Sequence, residues 1–405
     1  MDDGNDRHLL FVAVHAGAGY HSADKEPDYK MICKKACMQA MAVLNEKKSA
    51  SEAATRAVSV LEDADLTNAG RGSSLTMAGT VECDASLMDG SSSLFGAVGC
   101  ISGVVNPVKI AHQLLVRQRD SCLSHGRIPP SVLVGDGARQ WAEHQGFAVS
   151  EHHKLVTEKT KQLHNKYKRR IERDQSHDSK KVKVDNDDIF ENGASPHTGQ
   201  IQSTKEVQAP AEDTSSVHDT VGAVCVDCDG HIAAAASSGG IWLKQPGRLG
   251  PAAMYGAGCW AQDPNSGNPG IAVITSGCGE HIMRTLLAKT CAEHVKTADN
   301  ASQGLSSCFQ SQFLASNFLR NIESKLGGAV ALKKTEIDGV SEVELVWGHT
   351  TESMAVGYMS GNNHKPKTLI SRLAGGCLPG TSFTMSGAHF STPVKQDQTD
   401  RIQHE

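Results

Sequence analysis

His218-Asp219-Thr220-Val221-Gly222-Ala223-Val224-Cys225-Val226-Asp227 runs through Cys228-Asp229-Gly230 into His231-Ile232-Ala233-Ala234-Ala235-Ala236-Ser237-Ser238-Gly239-Gly240. Two runs of small and β-branched residues flank an Asp-Gly pair, the strongest short-range signal for a tight reversal. The stretch reads as a β-hairpin that ends on two glycines, where backbone can approach a ligand closely. A threonine that opens a strand directly after an Asp and a polar, proline-containing segment points to one chemistry. If the Asp219-Thr220 bond breaks, Thr220 gains an α-amine of pKa about 7.7 to 8.0, able to take the proton from the residue's own hydroxyl. One residue then holds both nucleophile and base. While the bond is intact, that nitrogen is an amide and no base. The plainer reading is an ordinary strand threonine, since Thr favours strands.

Outward from the hairpin, strand and helix signals alternate. Residues 8–14 form an apolar run, a buried strand expected to stop at a glycine-rich loop over 15–19. Helical spacing follows over 28–44, and Ser49-Ala50-Ser51-Glu52 has the form of a capping box ahead of a second helix. Residues 81–88 alternate, with Val81, Cys83, Ala85 and Leu87 on one side. Asp89-Gly90 then turns the chain toward a strand over 95–101. Asn106-Pro107 starts a further helix, Asn as cap and Pro at its first position. Beyond Gly240 the spacing predicts strands over 271–275, 329–332 and 343–347 and a single helix over 279–294, with a disordered polar tail over 390–405. This is a layered α/β pattern.

Between the halves, composition shifts. Residues 154–183 are lysine- and arginine-rich, and 185–219 are acidic and rich in Ser, Thr and Gln. So few apolar residues cannot offset the entropy of ordering, so 151–219 is expected to be mobile in part, with a polar helix over 154–173. Lys166-Tyr167-Lys168-Arg169-Arg170, nine residues, then Lys180-Lys181-Val182-Lys183 has the spacing of a two-part nuclear import signal; a solvated charge run is the plainer reading.

His15-Ala16-Gly17-Ala18-Gly19, Asn68-Ala69-Gly70-Arg71-Gly72-Ser73, Asp84-Ala85-Ser86-Leu87-Met88-Asp89-Gly90, the Asp219-Thr220 hairpin, Ser237-Ser238-Gly239-Gly240, Pro246-Gly247-Arg248 and Ser276-Gly277-Cys278-Gly279-Glu280 stand in one order along the chain. That order resembles the N-terminal-nucleophile asparaginases over roughly residues 10–145 and 217–375. The resemblance is strongest to the threonine aspartases, the family's protease branch, with further matches at Ser124-His125-Gly126-Arg127-Ile128-Pro129-Pro130 and His349-Thr350-Thr351-Glu352-Ser353-Met354. It implies a four-layer αββα sandwich, made as one inactive chain. Cleavage at Asp219-Thr220 would give an α piece, 1–219 (core 8–150, then the mobile segment 151–219), and a β piece, 220–405, together one globular domain. The implied activity is an endopeptidase that cuts protein substrates after Asp, its substrates being nuclear transcription regulators. The implied assembly is a pair of αβ units, with no metal or organic cofactor. A basic segment in the same place supports recognition of 166–183 by an import receptor, hence a nuclear and cytoplasmic location.

The resemblance also distributes roles. Thr220 is the nucleophile toward Asp219 and later substrates, and Ser238 supplies a second hydroxyl that bonds the α-amine. Asn68 matches the oxyanion donor. Ser276 and Gly277 match the second donor region, with Ser where asparaginases have Thr. Arg248 would hold the substrate Asp carboxylate through paired hydrogen bonds, Gly279 joining it in substrate binding. Asparaginases place an Asp after Gly-Arg-x-Gly to hold the α-ammonium of a free amino acid. This chain has Gly247-Arg248-Leu249-Gly250-Pro251, and proline cannot pair with an ammonium. An internal aspartyl residue, which has no ammonium, should therefore be preferred.

The rest of the chain narrows the field. A net charge of -5 gives no global reason for nucleic-acid or membrane contact. The N-terminus is acidic where a secretory signal is basic, and no apolar run reaches membrane length. The 12 cysteines are scattered, which fits reduced thiols, and Cys225-Val226-Asp227-Cys228 has no second such pair to complete a zinc site. His15, His281 and His349 lack ligand spacing and read as structural. The loops at 15–19 and 68–73 lack the Lys-Ser/Thr ending of a phosphate cradle. Two rivals remain: an asparaginase or isoaspartyl dipeptidase on the same fold, and a non-catalytic nuclear interaction protein.

Overall fold

Continuous apolar runs become central strands, and helices cover both outer faces. The computed structural model describes residues 9–392 apart from 121–122, 151, 188–219, 266 and 338–339, with backbone alone at 152–153, 174–187 and 337. The first part of the chain comprises β1 (Phe11–Gly19), α1 (Glu26–Asn45), α2 (Ala50–Glu62), β2 (Cys83–Asp89), β3 (Leu94–Ile101), α3 (Pro107–Asp120), β4 (Val132–Val134), α4 (Gly135–His144) and α5 (Glu158–Asp187). The second comprises β5 (Val221–Val226), β6 (Ile232–Ser238), β7 (Cys259–Gln262), β8 (Gly270–Gly277), α6 (Gly279–Thr285), α7 (Leu287–Thr297), α8 (Ala301–Cys308), β9 (Gly327–Ile337), β10 (Val340–His349), β11 (Ser353–Ser360), β12 (Lys367–Arg372) and β13 (Thr384–Ser391).

One sheet has the order β12-β11-β1-β5-β6-β2-β3-β4 and the other β13-β10-β9-β8-β7. Their facing sides share one core, in which Phe11, Val224 and Ile232 of the first sheet meet Ile274, Val330 and Leu345 of the second. Residues of α1 to α4 pack on the outer face of the first sheet. Those of α7 and α8 pack on the outer face of the second. The result is the expected αββα sandwich. The two sides of β2 separate as its alternation implies, and both are covered: Cys83, Ala85 and Leu87 meet helices while Met88 joins the inter-sheet core. The capping box forms as read, with Glu52 N donating to Ser49 Oγ at 3.3 Å and Ser49 N to Glu52 Oε2 at 3.1 Å.

Three local expectations change. Residues 15–19 continue β1 instead of forming a loop; the pairing with β11 shifts between His15 and Ala18, a bulge made possible by Gly17 at φ 104°. The single helix expected over 279–294 is two, because Leu286 adopts a left-handed conformation at φ 45° and Lys289 N donates to Gly256 O. Residues 390–391, expected in the polar tail, belong to β13, where Phe390 packs on Phe11 with ring centroids 4.9 Å apart. The polar helix expected over 154–173 is α5. It is anchored where apolar groups punctuate the charge run: Leu155 and Tyr167 are buried, and Tyr167 stacks on Trp242 at 4.0 Å between centroids. The cleavage junction residue Asp219 and the stretch 188–219 lie outside the described residues, as do the side chains of the second basic cluster at 180–183.

Candidate active site

The hairpin brings Thr220 and Ser238 together. β5 and β6 pair antiparallel, with Val221 opposite Ser237. The Thr220 hydroxyl consequently donates to Ser238 Oγ at 3.1 Å, and Ser238 Oγ also accepts from Gly240 N at 3.0 Å. Both residues are buried. Ser238 is thus a fixed polar partner of the Thr220 hydroxyl.

Asn68 reaches the same place from the loop after α2. Its Nδ2 donates to Gly240 O at 2.6 Å, its Oδ1 accepts from Ser74 N at 2.8 Å, and its carbonyl accepts from Gly239 N at 2.7 Å. The amide plane is therefore locked, which is what an oxyanion donor requires if stabilisation is to need no reorganisation. Asn68, Thr220, Ser238, Gly240, Ile241, Arg248, Pro251, Gly277 and Gly279 line one small cavity of about 10 Å³ for the centres of water-sized spheres, room for about one water. None of these lining side chains is acidic. Six of the seven residues assigned to catalysis or substrate binding thus converge. Ser276 stands apart: it is buried in β8, its Oγ accepts from Ala18 N at 2.9 Å, and it is absent from the cavity lining. Its hydroxyl ties the two sheets together, and Gly277 presents the backbone at that point.

Sequence reading treated His15 as structural, without placing it. It lies fully buried opposite Gly222, with its ring against the Thr220 backbone and neither nitrogen in a well-formed hydrogen bond. Burial lowers its pKa to about 3, so the ring beneath Thr220 is neutral. Gly222 leaves room for it: a Cβ there would stand 2.7 Å from His15 Nε2 and 3.0 Å from Ile274 Cβ. His349 is similarly neutral, its pKa lowered to about 4 by burial, and bonds Ser371 Oγ and Thr351 O.

A second, larger cavity of about 370 Å³ shares Asn68 with the first. Its floor is Thr67, Ser74 and Trp242, and its roof is α5, through Lys159, His164 and Tyr167. Among the described residues no cluster of three or more His, Cys, Asp or Glu could hold a metal, and no helix is long and apolar enough to cross a membrane. Among the described residues no disulfide is formed.

An αββα sandwich with a threonine at the head of a central strand, a partner hydroxyl and a locked amide beside it defines an N-terminal-nucleophile hydrolase. The sequence model of the family described as Asparaginase matches residues 8–369, and the chain belongs to that family. Among curated relatives, the isoaspartyl peptidase/L-asparaginase of Xenopus laevis is 30% identical over 324 residues, covering 80% of this chain and 86% of the relative. The human protein of that name is 32% identical over 328 residues, with 80% and 87% covered. The mouse protein is 32% identical over 330 residues, with 80% and 82% covered.

Proposed function

We propose that the chain is a self-activating threonine endopeptidase that cuts protein substrates after Asp. The observation that carries this reading is Pro251. It lines the nucleophile's cavity beside Arg248, at the position where a carboxylate would be needed to hold a free α-ammonium, and no acidic side chain lines that cavity. Arg248 is paired with Glu280, which is not part of the cavity lining, so the cavity offers a cation and no anion; that suits a ligand bearing a carboxylate and no ammonium, which describes an aspartyl residue inside a chain. That cavity is small, with room for about one water. The adjoining 370 Å³ space under α5 offers a path for the polypeptide on one side of it.

In this mechanism Thr220 Oγ1 attacks the Asp219 carbonyl, the acyl group moves from nitrogen to oxygen, and water hydrolyses the ester, leaving Thr220 with a free amine. In the mature enzyme the amine accepts the hydroxyl proton as Oγ1 attacks the substrate carbonyl. Asn68 Nδ2 and the backbone near Gly277 stabilise the oxyanion, and Ser238 holds the amine. The amine returns its proton to the departing nitrogen, and a water molecule then releases the acyl group. The same proposal includes nuclear regulators as substrates, an import receptor bound to 166–183, and a pair of αβ units as the assembly.

A second reading is favoured by the relatives' names: an isoaspartyl peptidase or asparaginase acting on small substrates. One experiment separates the two. Purified protein is checked for cleavage into two fragments by mass, then given a peptide with an internal Asp, L-asparagine and a β-aspartyl dipeptide. Cleavage of the peptide after Asp with little ammonia release is expected; rapid hydrolysis of either small substrate with an untouched peptide would overturn the endopeptidase reading. A wild-type chain that stays intact and hydrolyses nothing would favour the non-catalytic alternative.

A further inference from the structure

Glycine backbone forms part of the wall around the Arg248 guanidinium. A Cβ at Gly279 would stand 2.5 Å from Arg248 Nη2, and Cβ atoms at Gly250 and Gly240 would stand 3.1 Å and 3.2 Å from Nη1. Gly240 and Gly250 of the β6–β7 connection and Gly279 at the start of α6 thus leave room beside the guanidinium. The guanidinium is fixed from one side: Nε and Nη2 both donate to Glu280 Oε1, at 3.0 Å and 2.7 Å. Within the described residues Nη1 forms no hydrogen bond, and Arg248 lines the nucleophile's cavity. Glu280 lies in the first turn of α6, directly after Gly277 and Gly279, so the element that shapes the cavity wall also carries the carboxylate that orients the arginine.

The backbone below is held as firmly. Asp84 is wholly buried and accepts from Gly250 N and Cys100 N, each at 2.8 Å. That pins the loop carrying Arg248 and Pro251 to β2. Burial alone would raise the Glu280 carboxyl, but the hydrogen bonds and charge of Arg248 outweigh it and keep the group below its usual range, hence ionised at neutral pH.

We propose that Glu280 is the positioning residue for substrate recognition: it turns the Arg248 guanidinium so that its Nη1 edge faces the cavity, and thereby sets the preference for an aspartyl over an asparaginyl residue at the cleaved position. This rests on the reading of Arg248 as the holder of the substrate carboxylate. A two-point clamp leaves the other edge of the planar fork for a second carboxylate, whereas an unclamped arginine would sample several rotamers and lose part of its binding energy to ordering.

The test compares wild type, Glu280→Ala, Glu280→Gln and Arg248→Ala on two peptides that differ only in Asp or Asn at the cleaved position, after mass measurement has verified maturation. Glu280→Ala is expected to raise KM for the Asp peptide by about tenfold, with kcat changing less, and to narrow Asp-over-Asn discrimination by a similar factor. Glu280→Gln, whose carbonyl oxygen can still accept both N–H groups, should return to within about threefold of wild type. An unchanged KM and discrimination in Glu280→Ala overturns the proposal. So does a glutamine variant as poor as alanine, since the carboxylate would then act through charge and not through geometry. If Glu280→Ala fails to mature, Glu280→Asp, one methylene short of Arg248, takes its place with the same expected and overturning outcomes. Arg248→Ala separates the two layers of argument. Wild-type KM in that variant removes the carboxylate reading itself, while a large rise there with none in Glu280→Ala removes only the role of Glu280.

Discussion

The two walls of the active site are built differently. The wall that carries Thr220 consists of paired strands: Thr220 and Ser238 sit at the facing ends of β5 and β6, backed by His15 of β1, all buried. The recognition wall consists of loops and a helix start, from Arg248 to Pro251 and from Gly277 to Glu280, and it is partly open, the Glu280 side chain being 42% exposed. Strand pairing fixes the first wall through a ladder of hydrogen bonds. The second is held by a few side-chain contacts, so it can change with little effect on the core. Relatives about 30% identical to this chain can therefore share the first wall while differing at a position such as 251.

The largest expected effect breaks the strand wall at its centre. Thr220→Ala should remain a single uncut chain on a denaturing gel, with hydrolysis reduced by about a thousandfold or more, because nucleophile and base are lost together. Gly222→Ala disturbs the same wall without touching the reacting atoms. Its Cβ would meet His15 at 2.7 Å, so stability should fall by about 1 to 3 kcal/mol in urea unfolding, and self-cleavage should slow in a gel time course. On the recognition wall, Pro251→Asp puts a carboxylate at a buried position beside Arg248 and should lower stability by about 1 to 3 kcal/mol in urea unfolding. It should raise ammonia release from L-asparagine by about tenfold and depress peptide cleavage, since it supplies the missing partner for an ammonium.

A pH-dependent effect lies behind the strand wall. Glu62 is wholly buried, with Oε1 accepting from Val108 N, and burial raises its pKa to about 8. The native state therefore keeps a proton that the unfolded chain releases from about pH 4.5 upward. The stability this contributes is full below that value and is lost as pH rises through about 8. Glu62→Gln should flatten this dependence: the Tm of wild type should fall further between pH 5 and pH 8.5 than that of the variant.

Much of the strand wall was legible before any coordinates. The Asp-Gly turn, the alternation of β2 and the capping box at Ser49 and Glu52 depend on neighbours within a few residues, and each formed where it was read. The helix break at Leu286 was not legible. An apolar stripe runs through both α6 and α7, and the break is set by a contact with Gly256. The continuation of β1 through 15–19 was hidden for a similar reason, because glycines favour loops until a partner strand pairs with them.

The order of short motifs in the sequence was enough to assign the αββα family and to single out Thr220, because hairpins, caps and glycine turns arise from local hydrogen bonding and chain stiffness. Which groups face the nucleophile was settled by contacts between residues far apart in the chain. Asn68 locks onto Gly240, the neutral ring of His15 lies under Thr220, and Glu280 clamps Arg248, while the hydroxyl of Ser276 is turned away to Ala18. Such pairings exist only once the two sheets and their helices have packed. A side chain's direction then follows from the space left by its neighbours, which no short stretch of sequence encodes.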